Sequence, residues 1–157
     1  MNDTGRWGRA GALRQAGALR QTAELLEAEE SQKPRVLIVE DDVALARQVQ
    51  GHLQRAGLDV HVENAGKPAL AFAAEHRIDL VVLDVMLPDM SGYDVCSELR
   101  RIYHPWILPV VMMTALGEPK NKLLGFGHGA DAYLTKPVAT EELISTVRTM
   151  LDRTVRA

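Results

Sequence analysis

The chain is short of cysteine, of long apolar runs and of net charge, and each shortage excludes a class of protein. A single cysteine, Cys96, cannot form an internal disulfide, and its neighbours Val95 and Leu99 are typical of a packed helix position rather than a reactive thiol. No apolar run approaches the roughly 20 residues that span a bilayer, and residues 1–11 lack the apolar core of a signal peptide. A net charge of −3 provides no general attraction to nucleic acid. We therefore expect a cytoplasmic protein that contacts neither membrane nor nucleic acid.

The 157 residues are enough for one compact domain and a modest appendage. Residues 1–33, rich in Ala, Gly, Arg, Gln and Glu, show no strand pattern, so we predict a helical extension there and a domain over 34–157. Arginines gather in the first part of this extension and glutamates in the last, against the helix dipole. Antiparallel pairing of two copies would set Arg against Glu, which favours a homodimer; a frayed, solvated helix is the alternative. Alternating steps of four and three, as in a short coiled-coil seam, separate Ala12, Ala16, Leu19, Ala23 and Leu26. We predict that self-association uses the last four of these residues.

From Pro34 onward, short apolar runs alternate with helical patterns. The run Leu80–Leu83 is bounded by Asp on both sides and suits a strand buried on both faces, as in the middle of a parallel sheet. Five strand–helix units with short connections predict an α/β fold, a doubly wound five-stranded parallel sheet flanked by five helices. The five predicted strands are 36–39, 59–63, 80–83, 109–113 and 132–135.

Several residues predict where helices begin and which helix is weakest. Ser91 and Thr140 are expected N-caps, and Pro68 is expected to open the helix after the second strand. The segment from Pro119 to Gly129 must be a helix if the alternation holds. Because it contains three glycines, we expect it to be the loosest helix of the domain.

Four strands end in polar residues, and these ends should meet in one crevice at the carboxyl edge of the sheet. A cluster of unpaired carboxylates repels itself and implies a bound cation, and all-oxygen ligands indicate a hard one such as Mg²⁺. A lysine and a threonine hydroxyl beside it can hold phosphoryl oxygens, and a carboxylate can accept the phosphoryl group. The alternative is that each acid caps the following helix, a role that suits Asp42. The strand-end residues are Glu40, Asp41, Asp42, Asp84, Thr114 and Lys136.

Residues 34–153 resemble the receiver domain of two-component response regulators, the CheY-like superfamily with its flavodoxin-like sheet. The motifs that carry the resemblance are Val39–Asp42, Leu83–Gly92, Met113–Ala115 and Gly129–Pro137. The resemblance implies that Asp84 is the phosphoacceptor. It also implies that Asp41, Asp84 and the Met86 carbonyl ligate Mg²⁺, with Glu40 acting through water. Val138 departs from the family, which often has phenylalanine there.

The same resemblance implies the remaining roles. Lys136 and Thr114 would contact the phosphoryl oxygens, Tyr133 would change rotamer with phosphorylation, and the Lys136–Pro137 bond would be cis. The phosphoryl group would come from a sensor histidine kinase or a phosphotransfer protein. Only six residues follow Leu151, so no output domain is expected, and the output would be contact with a downstream protein. We expect no conventional enzyme, although the domain would catalyse its own phosphorylation and dephosphorylation.

Two other functions remain open. A magnesium-dependent phosphatase of the haloacid dehalogenase type also uses an aspartyl nucleophile on a doubly wound sheet, but it needs a second acid two residues later, where this chain has Met86. A scaffold that binds partners without phosphorylation is disfavoured because all the acceptor residues are present.

Overall fold

The computed structural model describes residues 4–103 and 107–154, and gives side chains within them except at 4–7 and 29–31. Its contacts divide the chain into two compact units, residues 1–33 and 34–157. The first unit contains one helix, α1 (Thr4–Gln32), as predicted for the extension. Every described side chain of α1 is exposed, including Leu13 and Leu19. No helix in the described part of the chain is long and apolar enough to cross a membrane.

The second unit is the predicted doubly wound sheet. Its strands are all parallel and lie in the order β2-β1-β3-β4-β5, and the described residues between and after them form five helices. The elements are β1 (Arg35–Val39), α2 (Val43–Arg55), β2 (Asp59–Glu63), α3 (Gly66–Glu75), β3 (Leu80–Leu83), α4 (Gly92–Ile102), β4 (Val110–Thr114), α5 (Pro119–Gly127), β5 (Ala132–Thr135) and α6 (Thr140–Arg153).

Helices cover both faces of the sheet, and alternate residues of one strand face the two layers. Val36 and Ile38 of β1 pack in the core formed with α2 and α6. Leu37 and Val39 pack in the second core, formed with α3 and α4. Val39 pairs with Leu83 of β3, so the ends of β1 and β3 lie side by side at one edge of the sheet.

Two predicted caps are confirmed. The Asp42 carboxylate accepts from the Leu45 amide at 3.1 Å at the start of α2. The Ser91 hydroxyl accepts from the Tyr93 amide at 3.2 Å at the start of α4. Each side chain satisfies an amide that has no partner within its helix.

Two other predicted helix starts are wrong. Thr140 is the first residue of α6 rather than its cap; Ala139 holds the cap position without a side-chain hydrogen bond. Helix α3 begins at Gly66, two residues before Pro68, because Asp89 from the loop after β3 reaches across. The Asp89 carboxylate accepts from the amides of Gly66 at 2.8 Å and Lys67 at 2.7 Å. An acid that is distant in sequence therefore caps the N-terminus of α3.

Candidate functional site

Three carboxylates meet where β1 and β3 end. Glu40 and Asp41 follow β1 directly, and Asp84 follows β3; one oxygen from each lies within 4.8 Å of the others. Glu40 and Asp84 are buried, whereas Asp41 is exposed. The Asn64 side-chain amide donates to the Glu40 carbonyl at 2.8 Å and ties the acidic loop to the segment after β2. The acids that follow β1 and β3 therefore lie close together, as the strand-end pattern predicts.

Lys136, the residue after β5, places its ammonium between the two buried carboxylates. Its Nζ donates to Asp84 Oδ2 at 2.8 Å and to Glu40 Oε1. Its backbone amide donates to the Thr114 carbonyl at 2.8 Å, so the ends of β4 and β5 are joined. The Lys136–Pro137 bond is cis, as the resemblance implied.

The pKa values of the two buried acids, Glu40 and Asp84, are shifted in opposite directions by their surroundings. Burial raises the pKa of Glu40 to about 7, although the Lys136 hydrogen bond acts in the opposite direction. Burial also acts to raise the pKa of Asp84, but hydrogen bonds, foremost that from Lys136, outweigh it and hold the pKa below its ordinary value. The pKa of Lys136 is raised: burial opposes its charge, and the bonds to Asp84 and Glu40 more than compensate. Asp84 is therefore ionised and Lys136 positive at neutral pH, whereas Glu40 titrates there.

The loop after Asp84 is held close to the carboxylate. The Met86 amide donates to Asp84 Oδ1 at 3.2 Å. The Gly92 amide donates to the Val85 carbonyl at 2.8 Å and closes the loop. A Cβ on Gly92 would lie 2.1 Å from the Asp84 carbonyl oxygen, so only glycine fits at this first residue of α4.

Thr114 and Tyr133 belong to a second hydrogen-bonded series. Thr114 is fully buried, and its hydroxyl accepts from the Leu116 amide at 3.4 Å. The Tyr133 hydroxyl donates to the Leu116 carbonyl at 2.6 Å. Burial raises the pKa of Tyr133, so this hydroxyl remains a donor at neutral pH. The ring of Tyr133 lies against α5, where a Cβ on Gly125 would come within 2.8 Å of it.

The acidic cluster has the chemistry of a hard-cation site. Glu40 Oε2 is buried and has no hydrogen-bond partner among the described residues, an expensive arrangement unless a ligand or water reaches it. Its neighbours Asp41 and Asp84 supply further carboxylate oxygens, the ligands that Mg²⁺ prefers. These residues therefore fit a magnesium ion.

Sequence reasoning missed three supporting residues, because each acts on a distant part of the chain. Asn64 fixes the Glu40 carbonyl, and Asp89 caps α3. Arg100 of α4 donates to Asp131, which immediately precedes β5. Strand β5 contains Tyr133 and ends just before Lys136. No local spacing signals such contacts.

Comparison with known proteins identifies the arrangement. The family model for the response regulator receiver domain matches residues 36–148, more than half of the chain. The chain belongs to the response regulator receiver family. Receiver domains are signalling domains rather than conventional enzymes, and as a family they bind Mg²⁺ at an acidic pocket such as the one formed by Glu40, Asp41 and Asp84.

Relatives and solved structures agree with this assignment. The DNA-binding dual master transcriptional regulator RpaA of Synechocystis is 45% identical over 78% of this chain and 51% of its own length. Response regulator ArlR of Staphylococcus saprophyticus is 38% identical over 76% of this chain and 53% of its own. The crystal structure of a CheY-like receiver domain protein from Methanospirillum hungatei superposes with a TM-score of 0.73, at 28% identity, over 77% of this chain and 95% of that one. The chain spans about half the length of these curated relatives.

Proposed function

We propose that this receiver accepts a phosphoryl group on Asp84 from a phosphohistidine of a sensor histidine kinase or phosphotransfer protein. An Asp84 carboxylate oxygen attacks phosphorus as the bond from phosphorus to the histidine nitrogen breaks. The acyl phosphate forms on Asp84, and the imidazole leaves with the bonding electron pair. The observation that carries the proposal is the Lys136 ammonium, 2.8 Å from Asp84 Oδ2, where it can neutralise charge on an incoming phosphoryl oxygen.

Glu40, Asp41 and Asp84 are the side chains that would hold Mg²⁺, together with the Met86 carbonyl. When bound, the ion supplies charge neutralisation between the carboxylates and the phosphoryl oxygens. Thr114 is assigned to the phosphoryl oxygens as a hydroxyl donor. Lys136 and Thr114 also assist hydrolysis of the acyl phosphate, in which water attacks phosphorus and Asp84 is regenerated.

The output of the domain is assigned to residues 115–135, which a downstream protein would recognise. Phosphorylation draws the Thr114 hydroxyl towards Asp84 and frees its bond to the Leu116 amide. The Tyr133 hydroxyl donates to the Leu116 carbonyl, so a shift of Leu116 reaches the aromatic ring directly. The cytoplasmic location, the absence of direct nucleic-acid contact by this receiver and the homodimer through α1 remain predictions of the same proposal.

The test is phosphorylation by acetyl phosphate with and without Mg²⁺, followed by intact mass. One phosphate per chain is expected, only with the metal present, and Asp84→Asn should abolish it. Asp152→Asn is the matched control, because Asp152 is an exposed carboxylate on α6 and should leave the phosphate in place. Equal labelling of the Asp84→Asn chain would refute the assignment. Sustained turnover of p-nitrophenyl phosphate would favour the phosphatase, and an unmodified chain that still binds a kinase would favour the scaffold.

A further inference from the structure

Helix α5 has unusually little hydrophobic anchoring. Its large apolar side chains are only partly covered: Leu123 is 73% exposed, and Leu124 and Phe126 are each 49% exposed. Within the described residues of α5, Gly125 is the buried one. Because helices in proteins are held mainly by burial of an apolar face, the position of α5 depends heavily on its other contacts.

Tyr133 of β5 lies against Gly125, and side-chain polar contacts to α5 come from α4. The Tyr93 hydroxyl donates to the Asn121 carbonyl at 3.0 Å, at the start of α5. Ser97 Oγ lies 2.7 Å from His128 Nδ1, at the end of α5. The rings of Tyr93 and His128 stack with centroids 5.4 Å apart. Tyr93 and Ser97 are four residues apart and share one face of α4, so this group forms a single clasp along the length of α5.

The clasp begins next to the phosphoacceptor. Tyr93 immediately follows Gly92, whose Cα is so close to the Asp84 carbonyl that a Cβ would overlap it. The Gly92 amide also bonds the Val85 carbonyl at 2.8 Å. A displacement of the backbone at Asp84 or Val85 therefore moves the first turn of α4, and with it the Tyr93 ring.

We infer that the clasp of Tyr93, Ser97, Asn121 and His128 is a second connection from Asp84 to α5. It meets the series Thr114–Leu116–Tyr133 at one point, because the Tyr93 and Tyr133 side chains interact. The inference rests on the proposed function, since the signal starts at Asp84. A movement of α4 is passed to both ends of α5 through polar contacts, whose geometry tolerates little displacement. The buried apolar contacts of α5 are those of Gly125 with Tyr133 and Met112, so little else opposes that movement.

Hydrogen exchange of the full chain, with and without beryllofluoride and Mg²⁺, tests the clasp. Ser97→Ala removes the bond to His128 and keeps a good helix former, and Ser145→Ala on the exposed face of α6 is the matched control. In the absence of ligand, the α5 amides of Ser97→Ala should exchange about two- to ten-fold faster, the effect of one hydrogen bond. His128→Asn should act in the same direction, and Ser145→Ala should match the parent chain.

The decisive measurement is the change in α5 exchange on adding beryllofluoride. Ser97→Ala should reduce this change at least about two-fold, whereas the ligand itself still binds. Thr114→Ala should also reduce it, and the double variant should reduce it further than either single variant. An unaltered response in Ser97→Ala, even with looser α5, would show that the clasp only holds the helix and would overturn the inference. Failure of the parent chain to bind beryllofluoride, or equal binding by Asp84→Asn, would overturn the proposed function as well.

Discussion

Replacing Arg100 by alanine should cause the largest loss of stability available from a single polar side chain on α4. The guanidinium donates from Nε to the Gly129 carbonyl at 2.8 Å and from Nη1 to the Leu108 carbonyl at 2.5 Å. Its Nη2 donates to Asp131 at 2.7 Å. Asp131 also accepts from the Val110 amide at 2.8 Å. One side chain therefore joins α4 to the segments that lead into β4 and β5.

The size of the stability loss follows from how deeply Arg100 and Asp131 are buried. The Arg100 side chain is 12% exposed and that of Asp131 27%, so the pair is far better shielded from water than a surface ion pair. Removing one partner of a largely buried pair costs about 3–5 kcal/mol, and two carbonyls would also lose their donor. Because Asp131 keeps the Val110 amide, we take the lower end, about 3 kcal/mol. For a domain of this size, that loss lowers the melting temperature by roughly 10–15 °C.

Thermal and urea unfolding of the full chain measure this loss, and the next residue provides the control. The Arg101 side chain is 79% exposed and lies 3.6 Å from Glu98, so Arg101→Ala should change stability by less than about 0.5 kcal/mol. Arg100→Lys retains the charge but loses the forked geometry, and should recover only part of the loss. A loss below about 1 kcal/mol in Arg100→Ala, or equal effects of the two alanine variants, would refute the reasoning.

Three further outcomes are expected. Asp41→Asn removes one of three clustered carboxylates. Without metal, its melting temperature should therefore stay level or rise by about 1–4 °C, and Mg²⁺ should no longer raise it. A fall of more than about 5 °C would indicate a structural role for Asp41. Burial raises the pKa of Cys96 to about 11, so at pH 8 its thiol stays protonated and should react with a disulfide reagent at least about 100-fold more slowly than in denaturant. Sedimentation of the full chain and of a version starting at Lys33 should show a dimer for the first and a monomer for the second, and equal masses would contradict pairing through α1.

The parts of the fold that were predictable are those set by short-range pattern. The run Leu80–Leu83 is apolar throughout because helices cover both faces of β3, and its flanking acids mark the ends of the strand. Once the strands are parallel, their ends must share one edge, so Glu40, Asp84 and Lys136 were brought together by topology alone. The roles assigned to these residues came from the family resemblance, since spacing cannot distinguish a phosphoacceptor from a metal ligand.

The parts that escaped prediction depend on contacts between distant segments. Asp89 caps α3 from the loop after β3, so the start of that helix is decided 23 residues further along the chain. Thr140 has the residue type of a cap, but its hydroxyl lies 3.4 Å from His52 on α2 instead. Sequence patterns describe what a residue favours locally, and tertiary packing selects which partner it meets.

The acidic cluster gives the domain a lower free energy of unfolding than an apolar core of the same volume would give. Two buried carboxylates share one ammonium, and Glu40 Oε2 is left without a partner among the described residues. Apolar side chains of the same total volume would pack there without this cost. The attraction within a buried ion pair rarely exceeds the free energy needed to remove its two charges from water. Under the proposed function, a bound cation would offset the repulsion between the carboxylates, and a phosphoryl group could then approach Lys136. The arrangement would therefore be unfavourable in the free domain for the same reason that it would suit the proposed transfer of a charged group.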